Sequence, residues 1–181
     1  LAPISVDTYY PEVAEAAIQA GATMINDIKG LDTPGMAEVL AQYPEVQVVI
    51  MHSRKHQSLS LKEELHQFYT EKIEQCQKYG LSLEKICFDP GIGFHKTVAE
   101  NLQLLKDPNA FRYQDYPLLY GVSRKRTIGA LTNEPEPANR DFGSAAASLY
   151  AAQQGVEILR VHNVQGLKQT FDVWRALSEK E

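Results

Sequence analysis

Short apolar runs alternate with longer amphipathic stretches six times along the chain. The runs at 4–7, 23–28, 46–51, 86–89, 118–122 and 158–161 are rich in Ile, Val, Leu and Phe and too short for helices. Strands buried on both faces of a parallel sheet have this near-continuous apolar character. Between them, residues 11–20, 33–42, 61–79, 97–105, 143–154 and 164–177 show helical spacing or helix punctuation. In the longest, Leu61, Leu65, Phe68, Ile73 and Cys76 gather near one face while Glu and Lys take the others, the signature of a helix lying on a sheet. Pro11 suits a first helical turn and Gly21 a stop. Thr97 with Glu100 three residues later forms a capping box. The pattern predicts six consecutive βα units.

Polar residues follow the apolar runs: Asp7, Asn26, Asp89, Lys125, and the pair Arg160 and His162. They would lie at the carboxyl edge of the sheet, where open and barrel α/β folds bind ligands. A closed (β/α)8 barrel needs about 250 residues. With 181 residues, the chain falls short of such a barrel by about two units, and because it enters a strand at once it is expected to be a single domain over 1–181 that lacks its amino-terminal part. An open six-stranded sheet is the alternative, but Gly91-Ile92-Gly93 lacks the third glycine of a dinucleotide turn and no P-loop is present.

Composition narrows the class further. Hydrophobic residues make up 44% and charged residues 23%, enough for one real core, and the formal net charge of -5 with scattered Lys and Arg leaves no basic stripe for nucleic acid. Cys76 and Cys87 have no C-x-x-C partner and read as free thiols of a reducing compartment. No apolar run reaches the roughly 18 residues of a membrane span. The expected location is cytoplasmic, away from membranes.

The sharpest local signal is Asp89-Pro90-Gly91-Ile92-Gly93-Phe94. A carboxylate at a strand tip can accept two parallel hydrogen bonds from an amidine-like edge, such as that of a pterin or guanine, and the glycines allow close approach. Plain turn chemistry explains the same residues. Asp7 and Asn26 at equivalent tips suit a flat polar heterocycle, although helix capping by Asp7 or Thr8 and an Asx turn by Asn26 are alternatives. Ser123-Arg124-Lys125-Arg126 offers cations, or a basic surface loop. Arg160 and His162, two apart on a strand, point the same way, and Arg is suited to bidentate phosphate binding. His52 and His56 have i, i+4 spacing, but His52 ends a strand, so no shared helix face for a metal is expected. His66 reads as a surface or boundary residue of its helix, and His95 receives no role.

Taken in order, Ile-Ser-Val-Asp-Thr, Ile-Asn-Asp-Ile, Asp-Pro-Gly-Ile-Gly-Phe, Ser-Arg-Lys-Arg-Thr-Ile-Gly and Arg-Val-His resemble the dihydropteroate synthase family of pterin-binding enzymes along essentially the whole chain. The resemblance implies the (β/α)8 barrel, of which this chain corresponds to units three to eight with the amino-terminal two βα units absent, and the condensation of 6-hydroxymethyl-7,8-dihydropterin pyrophosphate with p-aminobenzoate. It implies that Asp7, Asn26, Asp89 and Lys125 hold the pterin, that Phe94 borders the p-aminobenzoate pocket, and that Arg160 and His162 hold pyrophosphate, with Lys125, Arg160 and His162 serving catalysis. It also implies Mg2+, whose family ligand lies in an Asn-x-Thr-Pro-Asp-Ser segment with no counterpart here, together with sulfonamide inhibitors and a homodimer. Asn163 stands where many relatives carry Asp, and Tyr10 where many carry a basic residue. The rival readings are a pterin-dependent methyltransferase domain and a catalytically silent pterin-binding module.

Overall fold

The computed structural model describes residues 2–55 and 59–178; His56 lies outside them. Among the described residues six strands alternate with the six expected helices, and one further helix, α5, is present: β1 Ser5–Asp7, α1 Pro11–Gln19, β2 Met24–Asp27, α2 Met36–Leu40, β3 Gln47–Met51, α3 Leu61–Tyr79, β4 Ile86–Asp89, α4 Val98–Lys106, β5 Leu119–Tyr120, α5 Arg126–Thr132, α6 Asp141–Gln153, β6 Ile158–Leu159 and α7 Val164–Ser178. β1 through β4 pair in sequence order, all parallel, and β5 pairs parallel with β6. A parallel bridge from Phe88 to Leu118 joins the two groups. The row is curved: five strand spacings on a flat sheet would put β1 and β6 about 24 Å apart, yet Arg160, just past β6, donates to the carboxylate of Asp7 at the end of β1.

Side-chain alternation divides the strands between two layers. Ile25, Val48, Ile50, Ile86, Phe88, Leu118 and Tyr120 face the helices and build the main core. Met24, Val49, Cys87, Leu119 and Ile158 form a smaller apolar layer on the opposite face. The helix-facing layer is aromatic near its middle, where Tyr69 of α3 lies 4.2 Å from Phe88, ring centre to ring centre. Tyr120 also ties the sheet to α4 by donating its hydroxyl to the Leu104 carbonyl at 2.9 Å.

The structure corrects three expectations. β1 and β6 are not buried on both faces: Ser5 and Asp7 are exposed and both residues of β6 are half-buried, because each of these strands pairs with a single neighbour. Between the fifth strand and the helix expected at 143–154, where no element was expected, stands α5, in which Thr127, Ile128 and Gly129 are buried. Seven residues with a central glycine give too few turns for their periodicity to stand out. Finally, α2 shrinks to five residues, because Gly35 at its start is left-handed, φ 87°.

The Thr97 capping box forms as expected. Thr97 Oγ1 accepts from the Glu100 N–H at 3.2 Å, and the Glu100 carboxylate accepts from the Thr97 N–H at 2.7 Å. Thr97→Ala should therefore cost about 1 kcal/mol, read as a lower urea midpoint at unchanged slope. An unchanged midpoint would show that α4 does not depend on this cap.

Candidate active site

The inner apolar layer is the floor of the site. Moving two residues along each strand keeps the same face, so Asn26 stands above Met24, Asp89 above Cys87, Gly121 above Leu119 and Arg160 above Ile158. Asp7 is in register with Asn26. Asp7, Asn26, Asp89 and Arg160 thus converge because a period of two carries them there from four separate strands. Lys125 arrives differently, as the residue that precedes α5. Its ammonium donates to the Ile92 carbonyl at 2.5 Å and sits 4.9 Å from the centre of the Phe94 ring.

Asp89 is 4% exposed. Burial pushes its carboxyl above the usual range, against the opposing charges of Lys125, Lys96 and Arg160 and the Gly91 N–H, which donates to Oδ1 at 2.7 Å. Burial likewise pushes the Lys125 ammonium down, while Asp89 opposes that shift. Asn26 donates through Nδ2 to Asp7 at 2.9 Å, whereas its buried Oδ1 has no hydrogen-bond partner among the described residues. This row therefore offers carboxylate and amide acceptors toward the pocket, with cations close by. Asp27 next door is structural: it faces the other way and receives the Lys29 and Leu31 N–H groups at 2.8 and 2.9 Å.

Cations collect on the far side. Gly121, Ser123, Lys125, Arg160, Val161 and His162 line a cavity of about 140 Å³. The ring of His162 is held by Ser123, whose Oγ lies 3.0 Å from Nδ1 and accepts the His162 N–H at 3.2 Å. Arg160 is ion-paired with Asp7, which supplies the anionic partner that an arginine at the end of an apolar strand requires. Arg124 turns out of the site and clasps Asp141 with two bonds of 2.7 and 2.9 Å. A larger groove of about 880 Å³ lies between α6 and α7; it shares Ser123 and Val161 with the cationic cavity but does not reach the buried carboxylate of Asp89.

Two residues without an assigned role in the sequence stand directly behind Asp89. His52, 1% exposed, directly follows β3, and its Nδ1 lies 3.1 Å from the ammonium of Lys96. Lys96 also donates to the carbonyls of Phe94 and Gly91 at 3.2 and 3.3 Å. Burial first, and Lys96 second, push the His52 imidazole down to about 3; burial pushes Lys96 down to about 8. A neutral imidazole accepting at Nδ1 carries its proton on Nε2, which faces Glu64 Oε1 at 3.6 Å. His66 is half-buried beside Tyr113, as expected of a boundary residue, and His95 is exposed. No group of three or more His, Cys, Asp or Glu arranged to hold a metal ion occurs among the described residues.

The family model described as pterin binding enzyme matches residues 1–162. Dihydropteroate synthase of Synechocystis sp. is 39% identical over 184 residues, covering 97% of this chain and 63% of the relative. That of Escherichia coli strain K12 is 37% identical over 187 residues, covering 98% of this chain and 66% of the relative. The chain thus spans somewhat less than two thirds of the length of these relatives. Xanthomonas albilineans dihydropteroate synthase in complex with 7,8-dihydropteroate superposes with a TM-score of 0.92 at 41% identity, covering 99% of this chain and 70% of that one.

Proposed function

The chain belongs to the pterin binding enzyme family, and on that premise we propose that it acts as a dihydropteroate synthase, joining 6-hydroxymethyl-7,8-dihydropterin pyrophosphate to p-aminobenzoate. The observation that carries this reading is the juxtaposition of a buried acceptor row, Asp89 with Asn26, and a cationic rim of Lys125, Arg160 and His162 on one strand edge. In this reading Asp89 accepts from the N3–H and 2-amino groups of the pterin, while Asn26 Oδ1 and Lys125 meet other polar atoms of its rings. Arg160 leaves Asp7 to take the pyrophosphate oxygens, beside His162 as a second donor.

Fixed cations then stabilise negative charge as it grows on the leaving group. The C–O bond to pyrophosphate breaks, a cation delocalised into the pterin forms, and the arylamine nitrogen, entering beside Phe94, makes the new C–N bond and loses a proton. No strong general base is required. Mg2+ belongs to the proposal as a companion of the pyrophosphate. The described residues do not fit a protein-held Mg2+ site, because Asp7 is neutralised by Arg160 and Asp89 faces two ammonium groups, and Mg2+ favours octahedral oxygen ligation. Cytoplasmic location, a homodimer and sensitivity to sulfonamides complete the proposal; no described helix is long and apolar enough to cross a membrane.

The test supplies the chain with dihydropterin pyrophosphate, p-aminobenzoate and Mg2+ and measures dihydropteroate and pyrophosphate together. Equal amounts of the two are expected. Pterin binding without either product, in this chain and in one extended with the amino-terminal segment of a relative, would replace the synthase with a silent pterin-binding module.

A further inference from the structure

We propose that Lys96 is a positioning residue: it staples the 91–96 loop to the end of β3 and so sets where Phe94 and the Ile92 carbonyl stand beside the pterin pocket. The inference rests on the synthase reading for the identity of the ligands, and on geometry for the staple. The loop is held in a conformation that its sequence does not favour unaided. Gly91, Gly93 and His95 all have positive φ, at 72°, 82° and 48°. Such conformations persist in a non-glycine residue only when the surroundings impose them. At Gly91 the backbone runs so close to β3 that an added Cβ would stand 1.9 Å from the His52 carbonyl oxygen.

One ammonium meets three acceptors there: the Gly91 carbonyl at the start of the loop, the Phe94 carbonyl at its tip, and Nδ1 of His52 on the neighbouring strand. The His52 carbonyl adds a fourth, longer contact at 3.5 Å. Each of these acceptors is buried or half-buried, where a lost hydrogen bond costs the desolvation of the group left behind. Asn101 fixes the other side of the loop, accepting the Gly93 N–H at 2.8 Å and donating to the Lys96 carbonyl at 3.3 Å. What the loop then presents to the pocket is the Ile92 carbonyl that holds Lys125, and the Phe94 ring beneath the same ammonium. In this reading Lys96 touches neither the pterin nor p-aminobenzoate. Its charge also favours the ionised Asp89 carboxylate, an effect common to every pterin ligand, whereas its action through the loop falls on the side of the pocket that Phe94 borders.

The experiment measures, for the whole chain, the affinity of two probes: 6-hydroxymethylpterin, which reaches only the deep pocket, and pteroate, which extends past Phe94. Failure of the wild-type chain to bind either probe would overturn the functional reading and leave the staple to be judged by hydrogen exchange of the Gly93 and Phe94 amides, slower in wild type than in Lys96→Met if the staple exists. With wild-type binding in hand, Lys96→Met is expected to weaken pteroate about tenfold and 6-hydroxymethylpterin less than threefold. Equal losses for both probes, or none, would overturn the assignment. Should Lys96→Met not fold, His52→Leu, which removes one acceptor and keeps the lysine, must show the same split. His52→Asn, which restores an acceptor near the Nδ1 position, must return pteroate affinity to within threefold of wild type.

Discussion

Asp89→Ala is expected to reduce pterin affinity at least 100-fold. Two charge-assisted hydrogen bonds to one heterocycle edge are lost, each about 1.5–3 kcal/mol in a buried setting, and about 3 kcal/mol already corresponds to roughly 150-fold. Quenching of pterin fluorescence on titration with protein measures it. Because the substitution leaves Lys125 and Lys96 facing a missing charge, Asp89→Asn serves beside it: the amide keeps the volume but turns a donor toward the ligand's donors, so affinity should fall nearly as far. A drop of less than tenfold in both variants, with the fold intact by circular dichroism, would remove Asp89 from the site. Acid should imitate the mutation. Only the ionised carboxylate accepts both bonds, and burial holds this carboxyl above the ordinary range, so wild-type affinity should decline on the acid side at a higher pH than an exposed aspartate would dictate.

Arg160→Ala should discriminate between ligands rather than abolish binding. The guanidinium is more than half exposed, which places its contribution to a phosphate at the low end of the charge-assisted range, about 1.5–2 kcal/mol, or 10- to 30-fold. Dihydropterin pyrophosphate should lose that factor by calorimetric titration, and the corresponding pterin alcohol should lose threefold or less. Equal losses for the two ligands would reject the assignment of Arg160 to the pyrophosphate.

Alternation explains why the acceptor row was legible before any coordinates. Asp7, Asn26, Asp89 and Arg160 each end or follow an apolar run at the position that a period of two directs inward, so local pattern and tertiary position agree. Lys125 and His162 were legible for the same reason, as polar groups just beyond a strand. Pairings were not legible. Asp7 and Arg160 are 153 residues apart, and only the curvature of the sheet brings them together. The Lys96 staple spans 44 residues and draws on His52, whose sequence context pointed only to metal spacing. Exposure of β1 and β6 escaped as well, because an apolar run records what a strand can bury and not how many neighbours it has.

The Asp7–Arg160 pair has a further consequence for the response to salt. Among the described residues the strand pairings include no ladder between β1 and β6, whereas this half-exposed ion pair links the ends of the two strands. Exposed pairs are worth about 0–1 kcal/mol and are screened by salt, and the Debye length shrinks from about 10 Å at 0.1 M to about 3 Å at 1 M. The Asp7–Arg160 pair should therefore weaken as ionic strength rises, and the side chain that the pyrophosphate reading assigns to the leaving group becomes less firmly held by its own carboxylate partner.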